Sequence, residues 1–267
     1  MLARMFTARH RGGSGEPMVL LHGFTDTWRT WELVLPTLEQ HADVLAPTLL
    51  GHAGGPPITG PLTPGSVADA VEQLMDEAGF ETAHIVGNSA GGTLALRAAL
   101  AQPERVAGLI LVSPAVFAGG GAPAFVQPLL RSPQLQRIGP LIARAFLGQG
   151  DGLESRAYYD ASIVTEEQRA RSRLGVQVEN WDRALWAFTS ASQASNLTDT
   201  LAEITMPVLV VTGENDLVVP ASQSIALADD LPDADLVVVP ACGHLAQEEC
   251  PAALLDAVNA WLAEQSW

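Results

Sequence analysis

Apolar and polar positions alternate along the chain in two rhythms. Four short runs, Ala83–Val86, Leu109–Val112, Val208–Thr212 and Leu236–Val239, are almost continuously apolar and rich in β-branched residues. Runs of that length and kind predict strands buried on both faces, as in a parallel sheet. Met18–Leu21 and Val44–Ala46 add two more. Between them the period lengthens. Val67, Val71, Leu74, Met75 and Ala78 recur at helical spacing, and Gly79 follows as a stop. Gly91–Ala101 is rich in Ala and Leu around its whole circumference, which predicts a buried central helix. Leu254, Leu255, Val258, Trp261 and Leu262 fall on one face of a final helix. Strand alternating with helix argues for an α/β domain around a parallel sheet.

The rhythm breaks between about Val116 and Leu201, where the strand signal disappears. Gly119–Gly121 opens the region like a hinge, and helical segments follow. Phe117, Phe125, Phe146, Tyr158, Tyr159, Trp181, Trp186 and Phe188 lie here, over half of the aromatic side chains. So do Arg131, Arg137, Arg144, Arg156, Arg169, Arg171, Arg173 and Arg183, read mostly as solvent-facing partners for an acidic chain. The expectation is a core of residues 1–117 and 201–267 with a helical cap, 118–200, folded over the sheet. The alternative is an α/β layer continued by weak strands. Cap aromatics should face mainly their own core, with the remainder lining a cleft above the sheet.

Composition narrows the partners. Of 267 residues 48% are apolar and 16% charged, too apolar for a disordered chain. The formal charge of −16 argues against phosphate backbones and anionic lipid as partners. No apolar stretch approaches the roughly 18–20 residues that span a bilayer, and Met1–Arg11 lacks the apolar core of a secretory signal. Cys242 and Cys250 are too few for a disulfide framework. The expectation is a cytoplasmic monomer or homodimer acting on a small molecule.

The chemistry concentrates at strand ends. Gly87–Asn88–Ser89–Ala90–Gly91 lies between a predicted strand and a predicted helix, the context a G-x-S-x-G turn requires. A serine on so sharp a turn takes strained dihedrals, and flanking glycines let neighbouring backbone approach. The helix that follows aims its positive end at the site. Serine is a weak nucleophile near neutral pH and needs a base and an orienting acid. Asp216, past Val208–Thr212, and His244, past Leu236–Val239, supply them at strand ends where α/β sites gather. Glu214 is the rival acid and is read as a turn cap. His22–Gly23–Phe24 follows the first core strand, so the N–H groups of Phe24 and Ala90 can form an oxyanion hole. His22 is read as a brace for that loop and His52 as structural. His10, His41 and His84 stand in no motif. Cys242, Glu248, Glu249 and Cys250 lack metal-site spacing, so no metal is expected.

These marks resemble the α/β-hydrolase superfamily: His22–Gly23–Phe24, Gly51–His52, Gly87–Asn88–Ser89–Ala90–Gly91–Gly92, Gly213–Glu214–Asn215–Asp216 and Gly243–His244, in the family's order over nearly the whole chain. The resemblance implies the α/β-hydrolase fold, a mostly parallel central sheet flanked by helices with an inserted helical cap. It implies Ser89 as nucleophile, His244 as base and Asp216 as acid, with no metal and no organic cofactor. Only some 21 residues precede His22, room for one early strand near Met5–Arg9 where many members carry a hairpin.

Serine at the turn sets the chain apart from haloalkane dehalogenases and most epoxide hydrolases of this fold, which use aspartate. Asn88 resembles the carbon–carbon bond hydrolases of aromatic ring-cleavage products, but these often place a tryptophan after the histidine, where this chain has Leu245. Trp28, Trp181, Trp186, Asn88 and Leu245 are the candidate substrate-binding residues. The leading expectation is a carboxylesterase. Carbon–carbon hydrolysis and an aminopeptidase or amidase activity are the alternatives on the same three residues. A non-catalytic binding module has no need of all three.

Overall fold

A computed structural model describes residues 9–49, 63–116, 154–175 and 197–265, together with His52, Gly55, Ser132, 137–141, Arg144, 181–183 and 186–187. Phe117, the Gly119–Gly121 hinge, Phe125, Phe146, Phe188 and most of the expected cap lie outside the described residues.

Among the described residues seven strands form one sheet: β1 (Arg9–Gly13), β2 (Glu16–Leu21), β3 (Ala42–Pro47), β4 (Ala83–Asn88), β5 (Val106–Val112), β6 (Val208–Gly213) and β7 (Ala234–Val239). Their order is β1-β3-β2-β4-β5-β6-β7. β1 pairs antiparallel with β3, and all other pairs are parallel. An early strand therefore exists among the described residues, at Arg9–Gly13; residues 5–8 of the expectation lie outside them. The α-helices whose bounds lie among the described residues are α1 (Leu35–Leu38), α2 (Pro64–Ala78), α3 (Ala90–Ala101), α4 (Glu154–Ala157), α5 (Glu166–Gly175), α6 (Ala221–Asp230), α7 (Ala246–Glu249) and α8 (Pro251–Glu264). No helix among the described residues is long and apolar enough to cross a membrane.

Alternation along each central strand builds a core on both sides of the sheet. Val19, Leu21, Ile85, Leu109, Leu111, Val208 and Val210 face one layer, with Val71, Leu74 and Met75 of α2, Leu94 and Ala95 of α3 and Leu227 of α6. Met18, Leu20, Val86, Ile110, Val112, Leu209 and Val211 face the other, with Trp31, Leu35, Leu38 and, from α8, Leu254, Val258 and Trp261. Each such side chain contributes roughly 1.5–3 kcal/mol by burial, so these two layers hold the sheet. α3 is buried from Ala90 through Ala99, as its composition required. Thr63 and Ser66 form a capping box that starts α2, and Gly79 ends it at φ 77°. β7 departs from expectation. It is an edge strand, and Leu236 and Val238 are 37% and 39% exposed instead of buried on both faces.

The loops after β6 and β7 are brought together by backbone. Glu214 N–H donates to Val239 O and Asn215 N–H to Cys242 O, each at 2.9 Å. Between them a Cβ on Gly213 would stand 2.1 Å from Gly243 O and 2.4 Å from Cys242 O. Backbone cannot retreat as a flexible side chain can. Gly213→Ala is therefore expected to destabilise the protein by about 3 kcal/mol and to part these loops. Urea unfolding would check it, and an unchanged midpoint would contradict the close approach.

Candidate active site

Ser89 ends β4 and precedes α3 at φ 54°, ψ −117°, a conformation that L-residues rarely adopt. Its own backbone hydrogen bonds hold it there. Ser89 N–H donates to Val112 O, and Ser89 O accepts from Gly92 N–H and Ala115 N–H, each at 3.0 Å. The flanking glycines admit backbone: a Cβ on Gly91 would lie 2.1 Å from Leu21 O, and one on Gly87 2.5 Å from Gly91 C. Strain so over-determined is the signature of a functional turn. Thr25 (φ 64°), Ser113 (φ 45°) and Ala241 (φ 51°) also have positive φ, and each lies beyond the carboxyl end of a parallel strand. These three carry no motif and were not legible in the sequence.

Asp216 and His244 meet. His244 Nδ1 and Asp216 Oδ2 are 2.7 Å apart, and both residues are buried. The other carboxylate oxygen, Oδ1, accepts from Val218 N–H and Val219 N–H at 2.8 Å each. Both oxygens are thus committed, and the imidazole is aimed by a fixed acceptor. Glu214, the rival acid, is exposed.

The loop after β2 stands against the turn. A Cβ on Gly23 would lie 3.2 Å from Ser89 Cβ, which sets the loop that continues into Phe24 against the serine turn. Ala90 opens α3, where a first-turn N–H has no helical partner. His22 braces the loop: Leu49 N–H donates to its Nε2 at 2.8 Å, and Nδ1 lies 2.7 Å from Gly23 O. An acceptor Nε2 leaves the proton on Nδ1, which donates to the carbonyl. His52 packs edge-on against His22 and stacks with Phe24.

The candidate substrate residues go to different places. Asn88 is buried, and its amide nitrogen donates to Val112 O at 3.1 Å and His244 O at 3.3 Å. It ties the serine turn to the histidine loop from beneath. Leu245 packs on Ala157, Tyr158 and Val164. Trp28 stacks on His10 with ring centres 5.2 Å apart. Trp181 is buried. Trp186 and Arg137, Pro140, Leu141, Arg144, Asp182, Arg183 and Ala187 line a cavity of about 680 Å³. None of the three acid, base and serine residues lines it.

Two features escaped the sequence reading. Cys242 and Cys250 are joined in a disulfide that brackets His244, where no bridge was expected. Arg171, expected to face solvent, is buried between Asp26 and Glu248. Burial raises the pKa of both carboxyl groups; Asp26 raises that of Glu248 further, while Arg171 pulls both the other way. The signal available was Glu248 itself, an acid inside the turn that follows His244.

The model of the alpha/beta hydrolase fold family matches residues 16–251. The chain belongs to that family. A 2-hydroxy-6-oxo-6-phenylhexa-2,4-dienoate hydrolase of Burkholderia cepacia is 30% identical over 246 residues, covering 89% of this chain and 84% of that protein. The dihydrolipoyllysine-residue acetyltransferase component of the acetoin cleaving system of Cupriavidus necator is 29% identical over 239 residues, and the match covers 90% of this chain but only 61% of that protein. The chain thus spans about three fifths of that relative's length. Among solved structures, the 2-hydroxy-6-oxo-6-phenylhexa-2,4-dienoate hydrolase of Rhodococcus sp. strain RHA1 superposes with a TM-score of 0.75 at 26% identity, covering 96% of this chain and 98% of that one. An esterase from Thermogutta terrifontis, at TM-score 0.79 and 24% identity over 96% of this chain and 93% of that one, shares the fold.

Burial holds His22 and His84 neutral, lowering each pKa from 6.5 to about 4 against the pull of a backbone hydrogen bond. The unfolded chain takes up these protons first as pH falls. The stability each supplies is whole above pH 6.5, shrinks between 6.5 and about 4, and is lost below that. The effect is on the order of 3 kcal/mol per histidine. In His84→Gln the unfolding free energy should therefore fall less steeply over that window than in the wild type. Parallel curves from denaturant titrations at several pH values would contradict a buried neutral His84.

Proposed function

We propose that the protein is a serine hydrolase that cleaves carboxylic esters through an acyl-enzyme on Ser89. The observation that carries this reading is the strained, backbone-pinned Ser89 after β4, whose neighbour Asn88 donates to His244 O, together with a buried Asp216–His244 pair at 2.7 Å. His244 Nε2 takes the Ser89 proton as Oγ attacks the ester carbonyl. The Phe24 and Ala90 N–H groups receive the negative oxygen. Asp216 keeps the other imidazole proton on Nδ1 and stabilises the imidazolium. His244 then protonates the departing alcohol, activates a water, and the acid is released. Each step moves a proton or an acyl group between side chains and water, so no metal or cofactor is drawn on. Residues 1–117 and 201–267 form the core in this reading, and 118–200 the cap, whose aromatics favour an uncharged acyl or aryl group.

A second reading, carbon–carbon cleavage of a ring-cleavage diketo acid, is favoured by the named activity of the Burkholderia cepacia and Rhodococcus relatives. It ranks second because Leu245, which packs on Ala157, Tyr158 and Val164, follows His244 where those hydrolases often place a tryptophan. Aminopeptidase or amidase activity has no specific observation behind it.

Ser89→Ala should lower ester turnover by about 10⁴-fold or more while the fold persists, and should abolish labelling by a fluorophosphonate probe. Near-wild-type turnover would remove Ser89 from the mechanism. On p-nitrophenyl esters of graded chain length, rates should rise from acetate to a short or medium acyl chain and then fall. A kcat/KM for a 2-hydroxy-6-oxo-dienoate well above that of every ester would reverse the ranking.

A further inference from the structure

Arg171 sits on α5, in the stretch between β5 and β6, yet its side chain reaches both loops that build the site. Its guanidinium pairs with Glu248 Oε1, lies 3.3 Å from Asp26 Oδ1 through Nε, and donates to Arg29 O at 3.3 Å through a third nitrogen. The Nε–Asp26 contact is a proximity of charges; Nε makes no aligned hydrogen bond. Asp26 is two residues beyond Phe24. Glu248 is four residues beyond His244. The three side chains are 8%, 11% and 1% exposed.

The remaining polar atoms converge on the same seam. Glu248 accepts from Thr30 Oγ1 at 2.6 Å, Tyr158 Oη at 2.7 Å and Gln168 Nε2 at 3.1 Å. Its neighbour Glu249 accepts from Tyr159 N–H, Asp160 N–H and Gly243 N–H at 3.1, 2.8 and 2.6 Å. His244 N–H donates to Ala157 O at 2.7 Å. Two adjacent carboxylates thus grip residues 157–171 from the turn that carries His244.

Buried charges are a poor way to gain stability, because desolvation offsets most of the attraction. What they impose is geometry. One planar guanidinium that hydrogen-bonds Glu248 beyond His244 and Arg29 O beyond the oxyanion loop, with the Asp26 charge alongside, fixes the distance between those loops, which a lysine, as a point charge, does not. We propose that Arg171 is a positioning residue. It sets the oxyanion loop and the His244 loop against each other, and does so only while the 154–175 segment is docked. The proposal rests on the reading of Ser89, Asp216 and His244 as the reacting groups.

The test is steady-state kinetics on p-nitrophenyl butyrate together with the rate of fluorophosphonate labelling. Arg171→Lys should lower kcat and the labelling rate about 10-fold or more, with KM changed less than about 3-fold. Glu248→Gln, which keeps the shape of the side chain, should lower both in the same sense by a smaller factor. The triple variant D26N/R171M/E248L removes the charges together, so its Tm should exceed that of R171M alone while kcat stays low. The proposal is overturned if R171K and E248Q fold with wild-type kcat and labelling rate, or if kcat returns with Tm in the triple variant. Should R171K fail to fold, E248Q decides alone. Labelling of the wild type and its loss in S89A report on the serine mechanism independently of these variants.

Discussion

Backbone meets backbone at the carboxyl edge of the sheet, and the site is built on that contact. Gly91 lies against the end of β2, Gly87 against the start of α3, and Gly213 against the loop that holds His244. A side chain at any of these positions would drive apart segments that must touch. The close approach leaves Ser89, Asp216 and His244 with little freedom, since each is held by main-chain hydrogen bonds as well as by packing. Rigid positioning of this kind puts reacting groups in place before substrate arrives.

The two-sided core makes that contact possible. Central strands buried on both faces cannot slip by one residue without exchanging their two apolar sets. Register is therefore fixed, and the loops at the strand ends emerge at set heights. The two edge strands, β1 and β7, tolerate exposed and half-exposed side chains along most of their length. The helices that flank the sheet do little chemistry. α3 is the exception, because its first turn follows Ser89 directly and presents its positive end to the site.

Around this rigid floor lies a second set of contacts made of charge. Asp26, Arg171, Glu248 and Tyr158 come from four places in the sequence and form one buried cluster. Burial and the neighbouring Glu248 raise the pKa of the Tyr158 hydroxyl well above its ordinary value, so it serves as a donor. The Cys242–Cys250 bridge closes the loop that carries His244 and both gripping carboxylates. The described part of the region between β5 and β6 is thus bonded to the histidine loop at several points.

Local pattern alone placed the strands β2 to β7, the helices α2, α3 and α8, and the positions of Ser89, Asp216 and His244 beyond strand ends. Periodicity is set by which faces are buried, and a sharp turn between strand and helix demands glycine and admits serine. The sequence also carried the bracing role of His22, because a histidine inside a tight loop has backbone groups within reach. Other features depended on distance in space. Asn88, read as a substrate contact, has two carbonyls beside its amide nitrogen, a meeting no local spacing shows. Trp28 found His10, from the edge strand, across the chain. Arg171 looked like one more surface arginine on a polar helix. Its partners, Asp26 and Glu248, stand 145 residues before it and 77 after it, and nothing in local spacing joins them. Long-range pairing of charges leaves no period in a sequence, so only the folded chain could decide it.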